Sequence, residues 1–205
     1  MASQPNIFLT TEQYLDIEEK AEYKSEYFDG EMFAMSGVSF AHDTIVGNLF
    51  AMPHSQLKGS PCRAHTSDMR VAAAPSSAYV YPDVSIACKD AQYIHRGTDS
   101  LLNPVVIVEV LSPTTELHDR GRKFKWYKGI ASLKEYLLVS QDEVLVERFL
   151  RHDVGQNVGG DWLYSSANSL DDSLALAAAP ATLKLRDVYD GVFPPAGETI
   201  TEETE

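Results

Sequence analysis

Two acids in this 205-residue chain stand where an acid needs a reason. Glu109 interrupts Val105-Val106-Ile107-Val108-Glu109-Val110-Leu111, an otherwise unbroken apolar run that reads as a strand buried on both faces. A carboxylate there costs on the order of several kcal/mol unless it is paired or coordinates a metal. Asp83, in Tyr81-Pro82-Asp83-Val84-Ser85-Ile86, opens a second β-rich run. Two carboxylates on neighbouring strands, with a backbone carbonyl such as that of Val110, form the oxygen-rich, incompletely filled shell that Mg²⁺ or Mn²⁺ prefers. Lys123 adds a group that can help deprotonate water beside such a metal and stabilise developing negative charge. Each residue also has a plainer reading: Glu109 as half of a buried ion pair, Asp83 as a turn or cap acid after Pro82, Lys123 as a solvated member of a basic helix.

The elements that must position these groups follow from spacing. Thr10-Thr11-Glu12-Gln13 offers hydroxyl N-caps ahead of Tyr14, Leu15 and Ile17, which predicts a first helix. Tyr23 to Phe28 and Glu31 to Met35 flank Asp29-Gly30, the signature of a two-residue hairpin turn. Ile45, Val46, Leu49 and Phe50 recur at helical spacing from Ala41 to about Met52, with Pro53 bending or ending that helix. Strands are expected at Met69 to Ala72, Tyr79 to Ala87 and Val105 to Leu111, the last central in its sheet. Lys89 to Asn103 lacks periodicity and reads as a surface loop. A helix from about Asp119 to Lys128 stops at Gly129. Glu135 to Ser140 and Glu143 to Arg151 form a second hairpin, and Trp162 to Ser165 an edge strand.

Composition bounds the rest. With 44% hydrophobic residues, the length suits one domain, placed at 1–196, followed by an acidic, disordered tail at 197–205. No run approaches the roughly 18 apolar residues of a membrane span and no leader is visible, so a cytoplasmic location is expected. Cys62 and Cys88 lie 26 positions apart without zinc-ligand neighbours and read as reduced thiols. The formal charge of −13 opposes broad attraction to a phosphate backbone. Against that, Arg120, Arg122, Lys123, Lys125 and Lys128 gather in one short segment. Phosphate-loop, His-Glu-x-x-His and Gly-x-Ser-x-Gly signatures are absent.

Taken together, Tyr-Pro-Asp at 81–83, Glu-Val-Leu-Ser-Pro-Thr-Thr at 109–115, Asp-Arg-Gly-Arg-Lys-Phe-Lys-Trp-Tyr at 119–127 and Glu-Tyr-Leu-Leu-Val at 135–139 resemble the Uma-type restriction endonucleases of the PD-(D/E)XK nuclease superfamily. The likeness runs from Phe8 to Phe193 and includes Glu26-Tyr27-Phe28-Asp29-Gly30-Glu31 and the helix near His42. It implies an α/β (α+β) restriction-endonuclease-like fold, a mixed central β-sheet flanked by helices. It also implies Mg²⁺- or Mn²⁺-dependent hydrolysis of phosphodiester bonds, with DNA as partner and a homodimer as the assembly. Asp83 and Glu109 match the superfamily's two acids. Leu111 stands where its lysine is expected, so that role passes to Lys123, with Lys125 as substitute. Glu26 and Asp68 are supporting acids, although a hairpin glutamate and a turn acid are the plainer readings. His42 either binds phosphate or caps its helix, while Arg120 and Arg122 hold phosphates. The rival reading is a catalytically inactive interaction module that keeps the nuclease fold and binds a protein partner.

Overall fold

Thr10 opens the first helix through a complete capping box with Gln13, and α1 (Thr11–Glu18) buries Tyr14 and Leu15. The structure, a computed structural model, describes residues 8–35, 37–73, 78–113, 115–152 and 161–193; the acidic tail anticipated at 197–205 lies outside them. β1 (Ser25–Phe28) and β2 (Glu31–Ala34) form the expected hairpin. Asp29 and Gly30 both take positive φ, 46° and 95°, as its turn requires. α2 (Phe40–Gln56) follows and runs through Pro53. From sequence alone Pro53 is expected to bend or end the helix. Pro53 is instead buried on the same face as Ile45 and Leu49, and that packing outweighs the amide hydrogen bond proline cannot make.

β3 (Arg63–Thr66), β4 (Arg70–Ala73), β5 (Ala78–Val80) and β6 (Val84–Ala87) come next. The stretch expected to be a loop contains two short strands, β7 (Tyr93–Ile94) and β8 (Ser100–Leu101), too brief to leave a periodic signal. Leu101 is fully buried and Arg70 donates to Ser100 Oγ at 2.7 Å, so tertiary contacts recruit this segment. β9 (Val106–Leu111) is buried throughout. The predicted basic helix has three parts: α3 (Glu116–His118), a π-helical turn over Asp119–Lys123, and α4 (Phe124–Lys128). β10 (Glu135–Ser140), β11 (Val146–His152), β12 (Asp161–Ala167), the ribbon of β13 (Ser173–Ala175) and β14 (Thr182–Lys184), and α5 (Leu185–Val188) complete the described chain.

The mixed central sheet has the order β12-β11-β10-β9-β6-β3, with β9 and β10 parallel and the other pairs antiparallel. A second six-stranded sheet, β2-β1-β5-β4-β8-β7, accompanies it. Strand alternation divides the central sheet between two cores. Val106, Val108 and Val110 face the core that includes Ile45 and Leu49 of α2 and Leu185 and Val188 of α5. Ile107 and Leu111 face the other, with Phe124 and Tyr127 of α4 and Phe28 of the second sheet. Glu109 shares the parity of Ile107 and Leu111, so it points toward the helix carrying Lys123.

Cys62 and Cys88 are joined in a disulfide, which corrects the expectation of two reduced thiols. The antiparallel register pairs Arg63 with Ala87, and the next step outward sets the two cysteines opposite one another. Their 26-residue separation conceals that adjacency. Among the described residues no helix is long and apolar enough to cross a membrane.

Candidate active site

β6 and β9 deliver the two acids to one place. Their register pairs Val84 with Val108, so Asp83 and Glu109 emerge side by side where the strands part. Asp83 Oδ2 accepts from the Val110 amide at 2.7 Å and lies 3.4 Å from His42 Nε2. The helix behind them presents Asp119, Lys123 and Tyr127 at four-residue spacing, hence on one face. Lys123 Nζ lies 3.0 Å from Glu26 Oε1, 3.1 Å from Glu109 Oε1 and 3.3 Å from Asp119 Oδ1. Tyr127 donates its hydroxyl to Glu109 Oε1 at 2.7 Å. Glu26 Oε1 also accepts from the Tyr81 amide at 3.1 Å. Glu26, Asp83, Glu109, Asp119, Lys123 and His42 all line a cavity of about 530 Å³.

The electrostatics follow from burial and crowding. Burial pushes the Glu109 carboxyl well above the usual carboxylate range, against the pull of Lys123 and with the help of Asp119, Asp83 and Glu26. Burial likewise raises Asp119 against Lys123 and the hydrogen bond from Thr115. Burial alone would lower Lys123, but Glu109, Glu26 and Asp119 hold it well above its ordinary value. That direction favours the protonated ammonium of Lys123. His42 is raised as well: burial opposes its charge, and the hydrogen bond and charge of Asp83, then the Val110 carbonyl, outweigh burial.

Four carboxyl groups, those of Glu26, Asp83, Glu109 and Asp119, thus share the cavity with the Lys123 ammonium, which pairs with all but Asp83, an oxygen-rich setting that suits a further cation. The oxygen donors of Asp83, Glu109 and Val110 fit Mg²⁺, which takes one or two protein carboxylates and leaves the rest of its octahedral shell to water and substrate. Among the described residues no group of three His, Cys, Asp or Glu side chains is arranged to hold a metal unaided, and a site of that water-rich kind does not require one. The ion-pair reading of Glu109 also holds, with Lys123 as its partner.

Not every expected residue reaches the cavity. The Asp68 side chain is 82% exposed and pairs with Lys24, which makes it a surface turn acid. Lys125 is exposed, with its ammonium over the Trp126 ring. Arg120 is engaged by Glu116 and Glu147 at 2.7 and 2.5 Å, so its charge is already spent locally. Arg122 is mostly exposed, 3.6 Å from Glu31. His42 does not cap α2 with its ring: Ser39 Oγ accepts from the His42 amide, which frees the imidazole for Asp83. Glu26 is buried, unlike an ordinary hairpin glutamate. Asp119 and Tyr127 were not singled out from sequence, although their placement four residues either side of Lys123 is the signal that marks them.

A family model described as "Putative restriction endonuclease" (Uma2) matches residues 11–186. Two proteins of Synechocystis sp., each named only as uncharacterized (slr1290 and sll1609), are each 34% identical to the chain. The first matches over 184 residues, covering 90% of this chain and 93% of the relative. The second matches over 141 residues, covering 69% and 80%. The fold matches a crystal structure from Anabaena variabilis, titled a putative nuclease belonging to DUF820. The TM-score is 0.71 at 16% identity, over 90% of this chain and 99% of that one.

Proposed function

Because the chain belongs to the Uma2 family, whose description is "Putative restriction endonuclease", we propose that it is a metal-dependent endonuclease hydrolysing phosphodiester bonds of DNA. The observation that carries this reading is the convergence of Asp83, Glu109 and Lys123 on one cavity from three separate elements. Asp83, Glu109 and the Val110 carbonyl would hold Mg²⁺ or Mn²⁺, which when bound supplies a lowered water pKa and charge neutralisation at the phosphate. Lys123 Nζ, kept protonated by its carboxylate neighbours, donates toward the negative charge that grows on the phosphoryl oxygens. Glu26 and Asp119 hold that ammonium in place, and Tyr127 fixes Glu109. His42 Nε2 orients Asp83. A symmetric homodimer bringing two such cavities to one duplex belongs to the same proposal, and sedimentation at assay concentration would reveal a monomer if it is wrong.

The test is cleavage of supercoiled plasmid and of single-stranded DNA with Mg²⁺ or Mn²⁺, comparing wild type with Glu109→Gln and Lys123→Ala. Each variant is expected to lose cutting by about 10²-fold or more. Glu109→Gln is the cleaner probe, because Lys123 keeps Glu26 and Asp119. Equal cutting by wild type and Glu109→Gln would overturn the assignment. A second reading, an inactive nuclease fold that binds a protein partner, draws on the net charge of −13 and on Leu111 in the usual lysine position. Calorimetric titration separates the two: heat from Mn²⁺ that disappears in Asp83→Ala supports the nuclease, and its absence in the wild type favours the interaction module.

A further inference from the structure

The mouth of the cavity has a different chemistry from its floor. Glu26 and Phe33 are paired across the β1–β2 hairpin, so their side chains stand adjacent on one face. Glu26 reaches inward to Lys123, while Phe33 remains 39% exposed. Next to it stand Met35, 37% exposed, and Val38, 58% exposed, and all three line the cavity. His118 completes this wall, its ring 4.7 Å from Phe28 and 6.0 Å from Phe33 by centroids. Burial and Lys123 lower the proton affinity of the His118 imidazole, against Glu26 and Asp119. A floor of carboxylates and one ammonium therefore meets an aromatic and aliphatic wall at the entrance.

Duplex DNA is held by cations spread along a phosphate track, and the cations nearest the acids are committed. Arg120 is bound by two glutamates and Lys123 lies buried among three carboxylates, while Arg122, Lys125 and Lys128 are exposed, the two lysines over the Trp126 and Phe124 rings. The acids themselves are recessed, Glu109 being 3% exposed. A volume of about 530 Å³ is on the scale of a small-molecule site, far too small to admit a stacked duplex. A nucleotide that leaves the stack can carry its phosphodiester down to Asp83 and Glu109, and an exposed aromatic ring is a surface on which its base can stack.

From this juxtaposition of recessed acids and an aromatic mouth we infer that the cavity takes one unstacked nucleotide, its base on Phe33, so that the substrate strand is single-stranded or locally opened at the cut. This rests on the nuclease reading for the reaction but not for the binding, and the two are tested apart. The probe is a single-stranded oligonucleotide carrying one 2-aminopurine, titrated into Glu109→Gln protein with Mn²⁺, beside a duplex of the same sequence. Cleavage of labelled single-stranded, bubble and fully paired DNA by the wild type is measured alongside. We expect 2-aminopurine fluorescence to change on binding, and Phe33→Ala to weaken that binding about tenfold while Phe33→Tyr restores it. Wild-type protein should cut single-stranded and bubble DNA at least tenfold faster than duplex. Binding that depends on Phe33 without any cleavage supports the inference and defeats the nuclease reading. Duplex cut as fast as single strand, with Phe33→Ala unchanged, overturns the inference and leaves the nuclease reading standing. No fluorescence change in either Glu109→Gln or Phe33→Tyr protein overturns it as well.

Discussion

At the scale of single residues, burial decides which groups carry charge. Asp119, Glu26 and Glu109 would repel one another in the interior, and Lys123 is what makes their proximity tolerable. His118 shows the opposite response, since burial and Lys123 both disfavour its protonated form. A histidine whose folded-state pKa is depressed binds its proton more readily once unfolded. Its contribution to stability is thus complete above the unfolded value near 6.5 and is lost as pH falls through and below it. We predict that the wild-type Tm falls more steeply than that of His118→Gln between pH 7.5 and 5.5. Parallel curves for the two proteins would show that His118 does not titrate differently on folding.

At the scale of elements, register brings distant residues together. The antiparallel pairing of β3 with β6 aligns Cys62 with Cys88, just as the pairing of β6 with β9 aligns Asp83 with Glu109 at the other end of β6. The disulfide ties an edge strand to the strand that leads out from Asp83. Cross-linking a loop of this length stabilises by about 3 kcal/mol in the chain-entropy account. Cys88→Ser should therefore lower the unfolding free energy obtained from urea denaturation by that amount, and reductant should shift the wild type equally. A wild type indifferent to reductant would mean that the bridge contributes nothing to stability. The π-helical turn belongs to this scale too: it sits where Asp119 and Lys123 both turn inward, and such turns are frequent at functional sites.

For the whole molecule, net charge and local charge pull in different directions. The formal charge of −13 repels a polyanion at long range, and within the basic segment Arg120 is engaged with Glu116 and Glu147 and Lys123 with Glu109 and Glu26, which leaves Arg122, Lys125 and Lys128 exposed. Few counterions can then be released on binding. The affinity of Glu109→Gln for a single-stranded oligonucleotide should fall only shallowly with salt, with a log–log slope of about 2 or less in magnitude between 50 and 200 mM. Fluorescence anisotropy measures that slope, and a magnitude of about 6 or more would show an extended track of phosphate contacts and overturn the expectation.

The sequence by itself determined the catalytic candidates and the elements with strong periodicity. An acid inside a buried valine run is conspicuous because charge in such a strand is costly, and Asp29-Gly30 and the Thr10 cap carry their geometry in their residue types. Lys123 was preferred to Lys125 by resemblance, and the structure sets the former in the cavity and the latter at the surface. What only the tertiary structure decided was pairing. β3, β7, β8, β13 and β14 are too short or too polar to show a period, and they exist because a neighbour satisfies their amides. The same reason hid the Cys62–Cys88 bridge, the path of α2 through Pro53, the capture of Arg120 by Glu116 and Glu147, and the contacts of Asp119 with Lys123 and of Tyr127 with Glu109. Spacing along a chain reports which face a residue takes, whereas the partner on that face is chosen by register and packing between segments far apart in sequence.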